Sequence, residues 1–484
     1  TLRHDLYRQY ERSCEELNQR YARIPSQRAD CPLGEQYEKT HGEPRHPDAG
    51  EWDTKIERAY ERLGSFAAVH EHFGDQLPCQ AEGACPYIRA RDGFHRMLDE
   101  IDRGSARPYD VIIGNYLHSF KPYTETIQRS DEKDIKVRKL GQYHKDRYAV
   151  FDEFPGDNAV REFDSETVQG SVTNYLKQEP SLPFKNYSDL MEHRNESEYQ
   201  IPISEWLSSQ STQDRFTPSL PHRQDKTVPE AALLTQLLLT CRELPVNKYW
   251  YGEIGERTVG AISGEKGSVW LLTRPPVDNA LGIVALDGTP PLDLWNLLFP
   301  SIEHYEVLPT DEEKREYVQR ELGLRLIQTS LFPKPYAAGN EFDPSKPSKQ
   351  IHGMNKAASK DILAFKWIVD SHTKSEAPAI ISTKAGIEAY EREGFSHVFD
   401  RDEHYNNLIG TNAFAECRFG IVAGCNYPGD EVVKMWAALC GRGVEPETND
   451  EGKSLSGRNL NFGEFGNRIL HAVREYDVLH AVMR

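Results

Sequence analysis

Tyr148-Ala149-Val150-Phe151-Asp152-Glu153-Phe154-Pro155-Gly156-Asp157 is the stretch on which the reading of this chain turns. An apolar run ends in two adjacent carboxylates, and Pro and Gly then break the segment. Buried strands of parallel sheets read as short, continuous apolar runs. Ligands of such sheets sit beyond the carboxyl ends of the strands. Asp152 and Glu153 therefore stand where a divalent cation and phosphate oxygens can be held. One of the two can orient or deprotonate a water there.

Outward from this stretch, apolar runs alternate with helical patterns. Residues 108–120, 282–290, 378–384 and 419–424 hold further buried-strand candidates. Helices are predicted over 228–243, 292–298, about 356–371, 429–440 and 464–484. The first of these has Pro229 in its opening turn. Residues 249–273 read as a hairpin across Gly264-Glu265-Lys266-Gly267. Residues 305–308 and 324–329 are short apolar segments. Residues 1–23 carry a charged helical pattern with Leu6, Tyr10 and Leu17 roughly on one face. Residues 25–92 are rich in Gly, Pro, His and Cys, with one helix near 51–72. Residues 165–228 are polar and punctuated by Pro, and read as an irregular insertion with short helices. Strands alternating with helices argue for an α/β fold with parallel sheets.

Bulk properties narrow the choice of function. The chain has 484 residues, of which 38% are hydrophobic and 28% charged. That is an ordinary globular composition, long enough for several domains. The formal charge of −18 means that nucleic acid would need a local basic groove. No apolar stretch approaches the roughly 18 to 20 residues of a membrane span, and no signal peptide is seen. Eight cysteines in so long a chain argue for a reducing, cytoplasmic setting rather than a disulfide scaffold. The chain starts at Thr1 and stops at Arg484 inside a helical pattern, so a piece of a longer protein is expected.

Polar groups close four of the segments: Asp152-Glu153, Asp287-Gly288-Thr289, Ser382-Thr383-Lys384 and Gly410-Thr411-Asn412. In this order the chain resembles, over nearly its whole length, a superfamily 2 DNA helicase of the iron–sulfur (XPD/DinG) type, in an archaeal branch. Residues 1–6, Thr-Leu-Arg-His-Asp-Leu, resemble motif Ia. Residues 150–155 resemble motif II, with Phe154-Pro155 where Ala-His is usual. Residues 285–294 resemble motif III, 407–414 motif V, and 479–484 the start of motif VI.

The resemblance implies roles. Asp152 would help hold Mg2+, Glu153 would be the base, and Arg484 would act as an arginine finger on ATP. Asp287, Gly288, Thr289, Gly410, Thr411 and Asn412 would contact nucleotide or couple its hydrolysis to movement. Arg3, Thr383 and Lys384 would contact single-stranded DNA, with Arg418 a further candidate. Tyr116, His118, Phe120 and Tyr123 either stack bases or pack against the core. The glycine-lysine phosphate loop is missing from the sequence. Gly452-Lys453-Ser454 lacks the leading glycine, having Glu447 there, and reads as a solvated loop. The family places that loop before motif Ia, so little ATP turnover is expected from residues 1–484 alone.

Cys31, Cys79 and Cys85 fall where the family inserts its cluster domain, and Cys85-Pro86-Tyr87 resembles the last ligand. Thiolates there would hold a 4Fe–4S cluster or Zn2+, with Cys14 or His41 as the fourth ligand. Three reduced loop cysteines is the plainer reading. Cys417, Cys425 and Cys440 read as small core residues.

The fold expected is α/β with two RecA-like parallel-sheet domains, 1–298 and 299–484. Insertions are expected at about 25–92 (cysteine-rich) and 165–245 (polar and helical). The function expected is ATP-driven movement on single-stranded DNA, serving repair or defence against mobile elements. The alternative is a degenerate, non-catalytic helicase-like protein that holds DNA or a protein partner.

Overall fold

The computed structural model describes residues 7–25, 73, 86–102, 108–114, 116, 123–127, 135–139, 143–144, 146–209, 230–255, 257–275, 277–325, 363–371, 378–392, 399, 401–405, 414, 417, 419–424, 429–450, 452, 460–475, 478 and 482. It is a mixed helix-and-sheet structure containing parallel sheets. Two compact units are present. One comprises residues 1–121, 141–148 and 279–281; the other comprises 122–140, 149–278 and 282–484.

The first unit contains α1 (Tyr7–Glu16), β1 (Tyr21–Arg23), α2 (Pro86–Asp102) and β2 (Val111–Ile113). β1 and β2 pair in parallel. Arg20 and Asp110, one residue before each strand, clamp the start of the pair through guanidinium–carboxylate bonds of 2.8 and 2.9 Å. That guanidinium holds the Asp110 carboxyl below its usual range. The inward stripe of α1 is Tyr7 and Cys14, buried on Ile113, with Tyr10 half-buried beside them. Leu17, expected on that stripe, lies past the helix end and is 71% exposed.

The second unit is built on a five-stranded antiparallel sheet. Its strands are β6 (Val160–Phe163), β7 (Arg242–Glu243), β8 (Tyr249–Ile254), β9 (Thr258–Ser263) and β10 (Val269–Thr273), in the order β6-β10-β9-β8-β7. The hairpin expected over 249–273 is its centre. Between β6 and β7 run α3 (Ser165–Leu176), α4 (Tyr187–His193), α5 (Gln200–Ser209) and α6 (Ala231–Thr240). The stretch read as a polar insertion thus supplies helices that share one apolar core with this sheet, including Val172, Leu190, Trp206 and Leu234. The helix expected to reach residue 243 stops at Thr240. Cys241 is extended, and the chain turns into β7 to pair with β8.

β9 is buried at every position because both faces of the sheet are covered. α6 packs against β8 and α3, while α10 (Asp430–Leu439) packs against β8, β9 and β10. Gly252 and Gly260 oppose each other across the β8–β9 ladder. A Cβ on Gly260 would lie 2.5 Å from a Leu237 methyl, so the glycine pair lets α6 approach the sheet closely. α10 is tied down by Tyr249, whose hydroxyl donates to Glu431 at 2.7 Å. Asn247 Nδ2 donates to Val444 O just beyond it.

Two smaller parallel sheets complete the unit. β5 (Tyr148–Asp152) pairs with β11 (Gly282–Leu286). Within the first unit Leu281 N–H donates to Arg147 O, and within the second Glu153 N–H donates to Leu286 O. The bonded positions advance together, so the strands run parallel. α7 (Leu292–Leu298) follows β11, over the residues expected from sequence. β12 (Ala379–Ser382), buried throughout, lies between β13 (Arg401–His404) and β14 (Gly420–Val422), parallel to both. α9 (Lys384–Arg392) follows β12, and α11 (Gly463–Leu470) follows α10. Ahead of β12 comes α8 (Asp311–Glu316), begun by a Thr310–Glu313 capping box. A hairpin of β3 (Tyr123–Ile127) and β4 (Ile135–Lys139) belongs to the same unit. Residues 305–308 form no strand, and Tyr305 and Val307 are exposed. No helix among the described residues is long and apolar enough to cross a membrane.

Leu237→Ala should destabilise the protein by about 3 kcal/mol, since it empties a fully buried site. Gly260→Ala should cost about 1–3 kcal/mol through overpacking. In the Leu237→Ala background the glycine substitution should cost clearly less, because the space it needs has been vacated. Urea unfolding of the set measures this, and strict additivity would show that the contact is not the constraint.

Candidate functional site

Along β5 the side chains alternate. Ala149 and Phe151 are buried, whereas Tyr148 and Val150 are exposed. The period of two puts Asp152 on the open face, where it is half-buried. Phe151 fixes the inner face against Phe299, 5.1 Å between ring centres. Glu153 then leaves the alternation. Its N–H still bonds Leu286 O at 2.6 Å, but its φ is +66°. Few non-glycine residues adopt this left-handed region, and Asn and Asp do so most readily. Asn18 and Asp146 account for two of the other positive values. Glu153 has no such excuse, and the conformation costs on the order of 1–3 kcal/mol.

The residues after Glu153 are anchored. Phe154 meets Trp295 edge-on at 5.3 Å and Trp436 of α10 at 5.9 Å. Pro155 is buried and Gly156 takes φ +53°. At the end of β11, Asp287 makes a tight turn: Oδ1 accepts the Thr289 N–H at 2.9 Å. Its Oδ2 accepts the Trp295 indole N–H, also at 2.9 Å. Gly288 faces open space. α7 is held in turn by Arg274 of the sheet's last linker, which donates to Leu297 O, and by Arg468 of α11, which pairs with Asp293.

The parallel pairing therefore brings Asp152, Glu153, Asp287, Gly288 and Thr289 to the same edge, beyond the carboxyl ends of two adjacent strands. Hard carboxylate oxygens on a half-open strand end suit Mg2+, which is commonly held by one or two carboxylates with water and substrate oxygens. Asp152 and Glu153 fit that donor set. Both oxygens of Asp287 accept hydrogen bonds within the chain.

Other expected site residues sit elsewhere. Thr383 is 3% exposed, and its hydroxyl accepts the Gly386 N–H at 3.1 Å, capping α9. Lys384 opens that helix. Cys14 is in the core of the first unit, and burial, followed by Glu11 and Glu15, pushes its thiol up. That opposes the thiolate a metal requires. Tyr116 is buried, so its ring packs inward rather than waiting for a base. Cys440 is pushed up to about 12, chiefly by burial, and Cys417 packs on a core cluster. Arg3, Cys31, His41, Cys79, Cys85, His118, Phe120, Gly410, Thr411, Asn412, Arg418, Cys425 and Arg484 lie outside the described residues, as do the side chains of Tyr123 and Lys384.

Sequence reading missed Trp295 and Trp436, which hold the turn after Glu153. The signal available was Phe154-Pro155 after a carboxylate pair, an apolar residue with no strand left to bury it. It also missed Arg194, buried over the Trp250 ring with a 3.1 Å bond to Cys241 Sγ. Compared with known protein families, with curated proteins and with solved structures, the chain matches none.

Proposed function

We propose that this chain is the motor portion of an ATP-dependent helicase or translocase that moves on single-stranded DNA. The observation that carries the proposal is the β5–β11 pair, whose adjacent parallel strands end together in Asp152-Glu153 and Asp287-Gly288-Thr289. In this reading the two RecA-like domains are residues 1–298 and 299–484. The buried β12 and its parallel neighbours β13 and β14 support a second parallel-sheet body.

Bound with ATP, Mg2+ supplies charge neutralisation at the phosphate oxygens. Asp152 would hold it, and Glu153 would take the proton of the attacking water. Arg484 would stabilise charge on the γ-phosphate. Arg3 and Lys384 would each contact DNA phosphate, whereas the Thr383 hydroxyl is occupied in capping α9. Cys31, Cys79 and Cys85 would anchor their segment through a 4Fe–4S cluster or Zn2+, with His41 better suited than Cys14 to join them. A second reading, a non-catalytic DNA- or partner-binding protein, is favoured by one observation. Phe154 packs on Trp295 and Trp436 where motif II usually has Ala-His.

With a phosphate loop present in the chain, ATP should be hydrolysed. Glu153→Gln should then lower turnover about 100-fold or more, as loss of a general base does, while nucleotide still binds. Unchanged turnover would remove Glu153 from the mechanism, and absence of hydrolysis would favour the non-catalytic reading.

Binding to single-stranded DNA should exceed binding to duplex. It should also weaken steeply with salt as phosphate contacts release counterions. Fluorescence anisotropy over a salt series measures both. Equal affinity for the two forms, with no salt slope, would point to a protein partner instead.

A further inference from the structure

We propose that Trp295 and Phe154 are positioning residues for the carboxylate pair, and that Asp287 serves the site by holding Trp295 rather than by touching nucleotide. This rests on the reading of Asp152 and Glu153 as the cation-binding and base residues.

The contacts form a closed circuit. Glu153 N–H bonds Leu286 O at 2.6 Å. The next residue, Asp287, takes the Trp295 indole N–H at 2.9 Å and the Thr289 N–H at 2.9 Å. The Trp295 ring receives Phe154 at 5.3 Å. Phe154 is bonded to Glu153, which closes the loop. A left-handed glutamate persists only where its surroundings over-determine it. Here the hydrogen bond fixes the residue on one side and the ring contacts fix it on the other.

Each member is itself held. Trp295 and Trp436 are each 2% exposed, and Trp436 also contacts the Phe154 ring, at 5.9 Å. The indole N–H has a carboxylate acceptor, and bonds to an ionised acceptor are the stronger kind. Asp287 and Trp295 lie eight residues apart on opposite sides of the turn into α7, so their bond sets the distance between β11 and that helix. Outer partners of this kind fix the orientation of groups that bind a metal. Loosening the circuit should let Glu153 relax toward an ordinary strand conformation and redirect its carboxylate.

The test uses residues 1–484 and Mn2+ as the probe, followed by electron paramagnetic resonance of the free ion. Asp152→Asn should remove the site. Trp295→Phe keeps a ring but loses the N–H, and should weaken Mn2+ about 10-fold while the protein stays folded at the temperature of the measurement. Phe154→Ala should weaken it similarly, whereas Phe154→Tyr, which keeps the ring, should largely retain it. Amide hydrogen exchange across residues 152–156 should rise in Trp295→Phe while the five-stranded sheet stays protected. Mn2+ affinity and local exchange both unchanged in Trp295→Phe would overturn this inference and leave the carboxylate site intact. Should the unaltered protein bind no Mn2+, the site reading itself fails. Exchange at 152–156 then decides the circuit alone: raised supports it, unchanged overturns it.

Discussion

A single backbone hydrogen bond, from Glu153 N–H to Leu286 O, ties the two strand ends on which the site depends. It is the last rung of the β5–β11 pair, and it reaches past the end of β5 into a residue already in the left-handed region. In a parallel pair, adjacent carboxyl ends lie at one edge by construction. Polar residues far apart in sequence, at 152–153 and 287–289, become neighbours through that geometry. Everything proposed for the site needs the register to hold, since a slip by one residue would turn Asp152 to the inner face.

A two-stranded sheet does not hold its register alone. Here the support is aromatic. Phe151 on Phe299, and Phe154 between Trp295 and Trp436, attach β5 to α7 and α10. α10 is in turn seated on the antiparallel sheet by Tyr249–Glu431. On the opposite face, Gly252 and Gly260 admit Leu237 of α6. The sheet is thus a backing clamped between helices, and α10, seated on it, carries Trp436 to the turn after the carboxylates. Apolar burial supplies the stability of this backing, and the site borrows its rigidity.

Much of this was legible in the sequence, for identifiable reasons. β5, β11, β12 and β14 announce themselves as short apolar runs, and α7 begins and ends over the residues its pattern indicates. Asp152-Glu153 stands out because two charges end an apolar run. The order of the five-stranded sheet was hidden, because β6 and β7 are short and polar and lie on either side of four helices. The helices α3 to α5 were obscured by polar residues on their outer faces, although their buried positions share one core. On α1 the inward stripe is Tyr7, Tyr10 and Cys14, where two tyrosines and a cysteine stand in for the aliphatic residues a periodicity search favours. The role of Asp287 was read as chemical because Asp-Gly-Thr looks like a loop for ligand. Only the fold reveals that Trp295, eight residues on, comes back to it.

The central claim is that the shared edge of β5 and β11 is a cation site. Anomalous scattering from crystals of the protein grown with Mn2+ tests it most directly. The account predicts a peak within about 2–2.5 Å of an Asp152 carboxylate oxygen. A peak bound elsewhere, with none at that edge, would contradict it.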